Sequence, residues 1–174
     1  MPPFGHVVLI GMPAAGKSTV GVLLAKRLNF SFLDTDLVIQ RREGKSLREL
    51  IREHGPEGFC RLEERHVLSL SFAGCVVAPG GSVVYREAAM RHLRQGGISV
   101  YLMLSAERLK ERLADLDARG VVIAPGRGLE ELWAERDPLY RRAADLVVAT
   151  DGLTPDQVVG RLLAALGPAS FAPP

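Results

Sequence analysis

A three-layer α/β/α domain built on a five-stranded parallel sheet is the fold that this sequence predicts, and three observations carry it. Short apolar runs alternate with amphipathic helical patterns about five times along the 174 residues, the order that places a parallel sheet between two layers of helices. The runs His6–Ile10, Cys75–Ala78 and Ile98–Leu104 are almost unbroken in apolar residues, as strands covered on both faces are. Between the first of those runs and a helical pattern stands Gly11-Met12-Pro13-Ala14-Ala15-Gly16-Lys17-Ser18, which has the form GxxxxGK[ST] of a phosphate-binding loop.

Taken in order, each element has its own signal. After the first strand and the loop, Thr19–Asn29 carries Val20, Leu23, Leu24 and Leu28 at helical spacing, so this helix packs on the sheet. Ser31–Leu33 reads as a short strand ending at Asp34-Thr35-Asp36, on the edge where open α/β sheets bind ligands. Leu37–Arg42 is helical and stops at Gly44; Ser46, with Glu49 three residues on, opens the next helix to about His54. Gly55 and Pro56 break it, and Glu57–Phe72 resumes as an amphipathic helix that Gly74 ends. Cys75–Ala78 is the third strand, followed by a tight turn at Pro79-Gly80-Gly81-Ser82 and a helix over about Glu87–Arg94. Ile98–Leu104 reads as a central strand, and Ser105 caps a helix with Leu109 and Leu113 on its inner face. Ala118–Gly128, with Gly120, Pro125, Gly126 and Gly128, has the composition of a mobile flap, set at about residues 113–128. Leu129–Arg136 is helical again, Ala144–Thr150 is the last strand, and Thr154–Leu166 closes the chain with Val158, Val159, Leu162 and Leu163 inward.

Length and composition give one domain, residues 1–167, followed by a flexible tail at 168–174. Basic and acidic residues number 22 and 20, for a formal charge of +2, so no basic stripe points to nucleic acid. No apolar run reaches the length of a membrane span, and the start of the chain lacks the features of a signal peptide. The two cysteines, Cys60 and Cys75, have neither metal-ligand spacing nor a disulfide framework, so the expected setting is the reducing cytoplasm. A monomer is expected.

The loop is the chemically explicit part of the sequence. Gly11, Ala14, Ala15, Gly16, Lys17, Ser18 and Thr19 place backbone N–H groups and a helix N-terminus around phosphate oxygens. Lys17 reaches the β- and γ-phosphates, and the Ser18 hydroxyl is a ligand for Mg²⁺. Met12 occupies a spacer position of the motif. The chain has no Asn-Lys-x-Asp guanine-reading motif, which favours ATP as the nucleotide. Asp34 and Asp36 fit a ligand-binding edge; the other, lesser reading is a capping turn before the next helix.

The ordered set Gly11–Ser18, Leu33-Asp34-Thr35-Asp36, Gly58-Phe59 with Glu63-Glu64, Gly80-Gly81, Arg119 and Arg136-Asp137-Pro138-Leu139-Tyr140 resembles the shikimate kinases over about residues 6–166. These belong to the nucleoside-monophosphate-kinase-like branch of P-loop proteins and phosphorylate the 3-hydroxyl of shikimate, in aromatic amino acid biosynthesis, with MgATP. The resemblance implies a P-loop kinase fold with a mobile lid and a small hydroxylated carboxylic acid as partner. Lys17, Mg²⁺ held near Ser18 and Asp34, and Arg119 carried by the flap would converge on the γ-phosphoryl oxygens. Asp36 would bind the acceptor hydroxyls and take the attacking hydroxyl's proton. Gly80, Gly81 and Arg136 would complete the acceptor site, Arg136 on the carboxylate, and Arg112 and Pro155 would sandwich adenine.

Three positions depart from the family pattern. Cys60 stands where these kinases carry an acceptor-binding arginine, with Arg61 one residue along and so rotated by about 100° on a helix. Pro79 replaces the first of three glycines, and the flap reads Arg119-Gly120-Val121-Val122. The sequence therefore leaves two alternatives open: a kinase of the same fold with a different small-molecule acceptor, and a nucleotide- or metabolite-sensing domain without turnover. Cys60 also reads simply as a small buried residue near a helix start.

Overall fold

Burial decides which strands occupy the middle of the sheet. The structure is a computed structural model that describes residues 4–112 and 126–167. Its strands β1 (His6–Ile10), β2 (Ser31–Asp34), β3 (Cys75–Ala78), β4 (Ile98–Met103) and β5 (Leu146–Ala149) pair in parallel in the order β2-β3-β1-β4-β5. Every residue of β1 and β3 is buried, whereas β2 and β5, at the edges, are largely part-exposed. The most apolar runs thus fill the centre, where both faces are covered.

Side-chain alternation along the strands divides the core in two. Val7 and Leu9 of β1 face a layer made by α1 (Lys17–Leu28) and α7 (Pro155–Leu166), where Val20, Leu24, Val159 and Leu162 are buried. Val8 and Ile10 face the opposite layer, made by α3 (Leu47–Leu68), α4 (Glu87–Arg94) and α6 (Leu129–Ala143), where Val67, Leu93, Leu132 and Tyr140 are buried. A satellite cluster of Ile39, Leu50, Phe59, Cys60 and Leu62 lies between α2 (Thr35–Glu43) and α3. The remaining helix, α5 (Ala106–Arg112), buries Leu109.

Several boundaries differ from the sequence pattern, each for a local reason. The second helix opens at Thr35, because the Asp34 carboxylate accepts from the N–H groups of Asp36 and Leu37 and so caps it. Residues 47–68 form one helical run, with the expected break preserved as a single non-helical residue, Gly55, at φ 69° and ψ 171°; a left-handed φ there suits glycine. That run stops at Leu68 rather than Phe72, since Ser69 bonds back to the last turn and Phe72 leaves to pack between the rings of His6 and His92 at 5.2 and 5.5 Å. The glycine turn continues into a 3₁₀ helix over Gly81–Tyr85. α6 runs through Pro138 to Ala143, seven residues past its sequence-based end, held by contacts that Asp137 and Tyr140 make with other elements. β5 is shorter than its apolar run because Asp145 turns its carboxylate onto Ser99, accepting from both N–H and Oγ. The expected tail, 168–174, lies outside the described residues.

Leu24 is fully buried between α1, α7 and the sheet. Leu24→Ala should lower the unfolding free energy by about 2–5 kcal/mol, read as a shift of the urea midpoint with an unchanged slope.

Candidate functional site

Because β1 and β3 are parallel neighbours, the segments that leave their C-terminal ends open on the same edge of the sheet. Residues 11–18 leave β1 and residues 79–82 leave β3, and Pro13–Ser18 and Pro79–Ser82 together line a cavity of about 680 Å³. Asp34 and Asp36 reach it from the end of β2 and the start of α2, Arg112 from α5, Arg136 from α6 and Pro155 from α7. The candidate residues that the sequence scatters from Ala14 to Pro155 thus meet in one place, apart from Arg119, which lies outside the described residues, while Gly11 sits behind the lining at the end of β1.

The loop wall is tightly determined. Gly16 sits at φ 93° as the N-cap of α1, so the helix dipole and its unpaired N–H groups face the cavity. Lys17 Nζ donates to the carbonyls of Gly11 and Met12, both at 2.9 Å, which folds the ammonium back over the loop. Burial pulls its pKa down to about 8 against the opposing charges of Asp36 and Asp34. Met12, a spacer in the motif, is fully buried in the core and anchors the loop from below. Arg112 bonds the carbonyl of Ala14 at 3.2 Å, and Pro155 occupies the first turn of α7 on the same wall.

Ser18 Oγ donates to Asp34 Oδ2 at 2.7 Å, while Asp34 Oδ1 caps α2. Asp34 therefore serves both readings that the sequence leaves open: it is a helix cap and it faces the loop. These two adjacent hard oxygen donors suit Mg²⁺, which prefers few protein ligands beside water and phosphate oxygens. Among the described residues no group of three His, Cys, Asp or Glu side chains could hold a metal by itself.

The far wall holds the carboxyl and guanidinium groups. Burial, then the charge of Asp34, pushes the Asp36 carboxyl up to about 6, with Lys17 pulling the other way. Gly80 is required by close approach: a Cβ there would lie 2.3 Å from Glu63 Oε1 and 2.8 Å from Asp36 Oδ1. Its N–H donates to Thr35 Oγ1 at 3.3 Å. Arg136 is only 1 % exposed, yet it lines the cavity, its Nε donating to Tyr85 Oη at 3.0 Å and its guanidinium stacked 4.9 Å from that ring's centre. Tyr140 donates to the Gly81 carbonyl at 2.6 Å and stacks on Tyr101.

Cys60 lies in the satellite core, 4 % exposed, and burial raises its thiol pKa. It brings no charge to the cavity. Arg61 turns away and pairs with Glu57 at 3.1 Å on the surface. Arg119, with residues 113–125 of the expected flap, lies outside the described residues. Glu63, Tyr85 and Tyr140, which hold the lining residues Ser82, Arg136 and Gly81 from behind, have no separate role in the sequence reading. For Glu63 the signal was a carboxylate on the buried stripe of its helix, in line with Phe59 and Val67; for Tyr85 none was present, since its partner is 51 residues away.

A family model described as shikimate kinase matches residues 13–167. The shikimate kinase of Pseudomonas syringae pv. tomato is 41% identical over 164 residues, 92% of this chain and 95% of that protein. That of Paracidovorax citrulli is 42% identical over 148 residues, 82% of this chain and 81% of that protein. Among solved structures, shikimate kinase from Acinetobacter baumannii in complex with shikimate superposes with a TM-score of 0.85 at 28% identity, covering 95% of this chain and 94% of that one. Shikimate kinase from Aquifex aeolicus gives 0.77 at 30% identity, over 92% and 95% of the two chains.

Gly80→Ala should cost about 1–3 kcal/mol of stability by forcing the two carboxyls apart, measured by denaturant unfolding. ADP affinity, measured by calorimetry, should change by less than about threefold, since the loop wall is untouched.

Proposed function

The chain belongs to the shikimate kinase family, and we propose that it transfers the γ-phosphoryl group of ATP to shikimate, giving shikimate 3-phosphate and ADP. The observation that carries this reading is the meeting, in one cavity, of the Lys17 loop with Asp36 on one side and Arg136 on the other. The loop supplies the donor half. Lys17 and the N-terminus of α1 neutralise phosphate charge, and Arg112 and Pro155 flank the space for the adenine ring. Ser18 and Asp34 would hold Mg²⁺, which when bound offsets charge on the phosphate oxygens.

Asp36, Gly80, Gly81 and Arg136 form the acceptor half. Arg136 is oriented by Tyr85 and is suited to a carboxylate by its planar fork. Asp36 orients the acceptor hydroxyl and accepts its proton while the oxygen bonds to the γ-phosphorus and the bond to the β-phosphate oxygen breaks. Its raised pKa, about 6, brings it nearer to a hydroxyl's proton than an ordinary carboxylate is. Arg119 is assigned to the developing charge on the transferred group. Transfer of this kind depends on position and charge rather than on a covalent intermediate, and every residue assigned here supplies one or the other.

A coupled ADP-release assay should show turnover that depends on shikimate, and no stimulation by shikimate would sink the reading. Lys17→Ala should lower kcat/KM by at least about a hundredfold. Arg136→Lys should raise the shikimate KM about tenfold with a smaller change in the ATP KM, because the planar fork is lost on the acceptor side alone.

A further inference from the structure

Glu63 has no part in the transfer as described, and its surroundings are unusual for a carboxylate. The residue has no exposure to solvent. Its Oε2 accepts from Ser82 Oγ at 2.6 Å, while Oε1, among the described residues, has no hydrogen-bond partner. Oε1 and Asp36 Oδ1 both lie within 2.8 Å of the point that a Cβ on Gly80 would occupy, so two carboxyl groups converge on one glycine. The other groups that act on Glu63 come from each element packed here: Lys17 from α1, Arg136 and Tyr140 from α6, and Cys60 from α3 itself. Arg86, at the start of α4, is engaged with Glu64 and Glu57 instead.

An ionised carboxylate with one bare oxygen, out of water and beside a second carboxylate, is costly, and a proton on one of the pair removes most of that cost. Asp36 opens on the cavity near Lys17. Glu63 has no solvent and, among the described residues, no second donor, and burial, followed by the charge of Asp36, raises its pKa to about 8. The proton belongs on Glu63.

That proton changes what an acceptor meets. Among the described residues, its half of the cavity is lined by one cation, Arg136, and by Asp36, with Glu63 buried directly behind Gly80, since Cys60 is uncharged and Arg61 pairs with Glu57 on the surface. With Glu63 ionised, a carboxylate-bearing acceptor enters a negative pocket; with Glu63 neutral, Arg136 and Asp36 balance. Taking the acceptor to be the hydroxy acid proposed above, we infer that Glu63 works as a neutral carboxylic acid, a positioning residue whose proton lets an anionic acceptor dock against Arg136.

Calorimetric titration of shikimate into the ADP-loaded protein tests this. The shikimate Kd of the natural chain should rise about tenfold between about pH 7 and about pH 9.5. Glu63→Gln, which fixes the neutral state, should keep the low-pH Kd and hold it within about twofold over the same range. A rise that persists in Glu63→Gln, which would assign it to Lys17 or another group, overturns the inference. So does a Kd already raised about tenfold in Glu63→Gln at pH 7, which would make the carboxylate the working form. ADP binding reports that the variant is folded. Infrared spectra of the protein without acceptor give a readout independent of substrate: the band of a protonated carboxylic acid should titrate near pH 8 and vanish in Glu63→Gln, and its absence at neutral pH overturns the inference. Failure of shikimate to bind at any pH, with that band present, counts against the assigned acceptor and leaves Glu63 as inferred.

Discussion

Because β1 pairs with β3 in parallel, Val8 opposite Val77, the chain leaves both strands at one edge of the sheet, and the Lys17 loop and the Gly80-Gly81 turn begin side by side. Nothing else in the fold sets their separation so directly. The pairing is in turn forced by composition: strands this apolar must be covered on both faces, which requires helices above and below and therefore crossover connections. The helices that satisfy this demand carry the remaining groups to the same edge, Lys17 at the head of α1, Arg112 at the end of α5 and Arg136 within α6. A requirement to bury hydrocarbon thus ends as a requirement that phosphate, hydroxyl and carboxylate meet.

The edge of the sheet is also where burial and charge conflict. Lys17, Asp36 and Glu63 are each shifted toward neutrality first of all by loss of water; the carboxylates around Lys17 oppose its shift, while a neighbouring carboxylate adds to that of Asp36 and to that of Glu63. Such shifts gather at sites that do chemistry. Glu63 contributes to stability with a definite sign: a carboxyl whose folded pKa lies above its unfolded value favours the folded state at low pH and loses that advantage as pH rises toward about 8.

Much of this was legible in the sequence, and the division is physical. The strands and the loop were readable because their signals are local: runs of buried residues, a glycine pair at fixed spacing, a lysine at a helix start. The ends of α3 and α6 were not, since Phe72 is drawn off by His6 and His92, and the second half of α6 is held by Tyr101 and Gly81. The acceptor wall was legible only in part. Arg136 was visible in its motif, but the ring beneath it belongs to Tyr85, and the bare oxygen of Glu63 exists only because Gly80 and Ser82 fold against α3. Asp34 was ambiguous for a good reason, as one of its oxygens caps a helix while the other meets Ser18.

One face of α6 is attached to its surroundings by directed contacts in addition to the apolar packing of Leu132 and Tyr140. Trp133 donates to the Leu104 carbonyl, Arg136 to Tyr85, and Tyr140 to the Gly81 carbonyl, while Asp137 accepts from Tyr101. Apolar packing tolerates small slips, but hydrogen bonds fix both the height of a helix and its rotation. Adding or deleting one residue within this stretch would turn everything beyond it by about 100° and break several of these contacts at once. The outward face of α6 is therefore free to vary in sequence, while the helix as a whole is fixed in length.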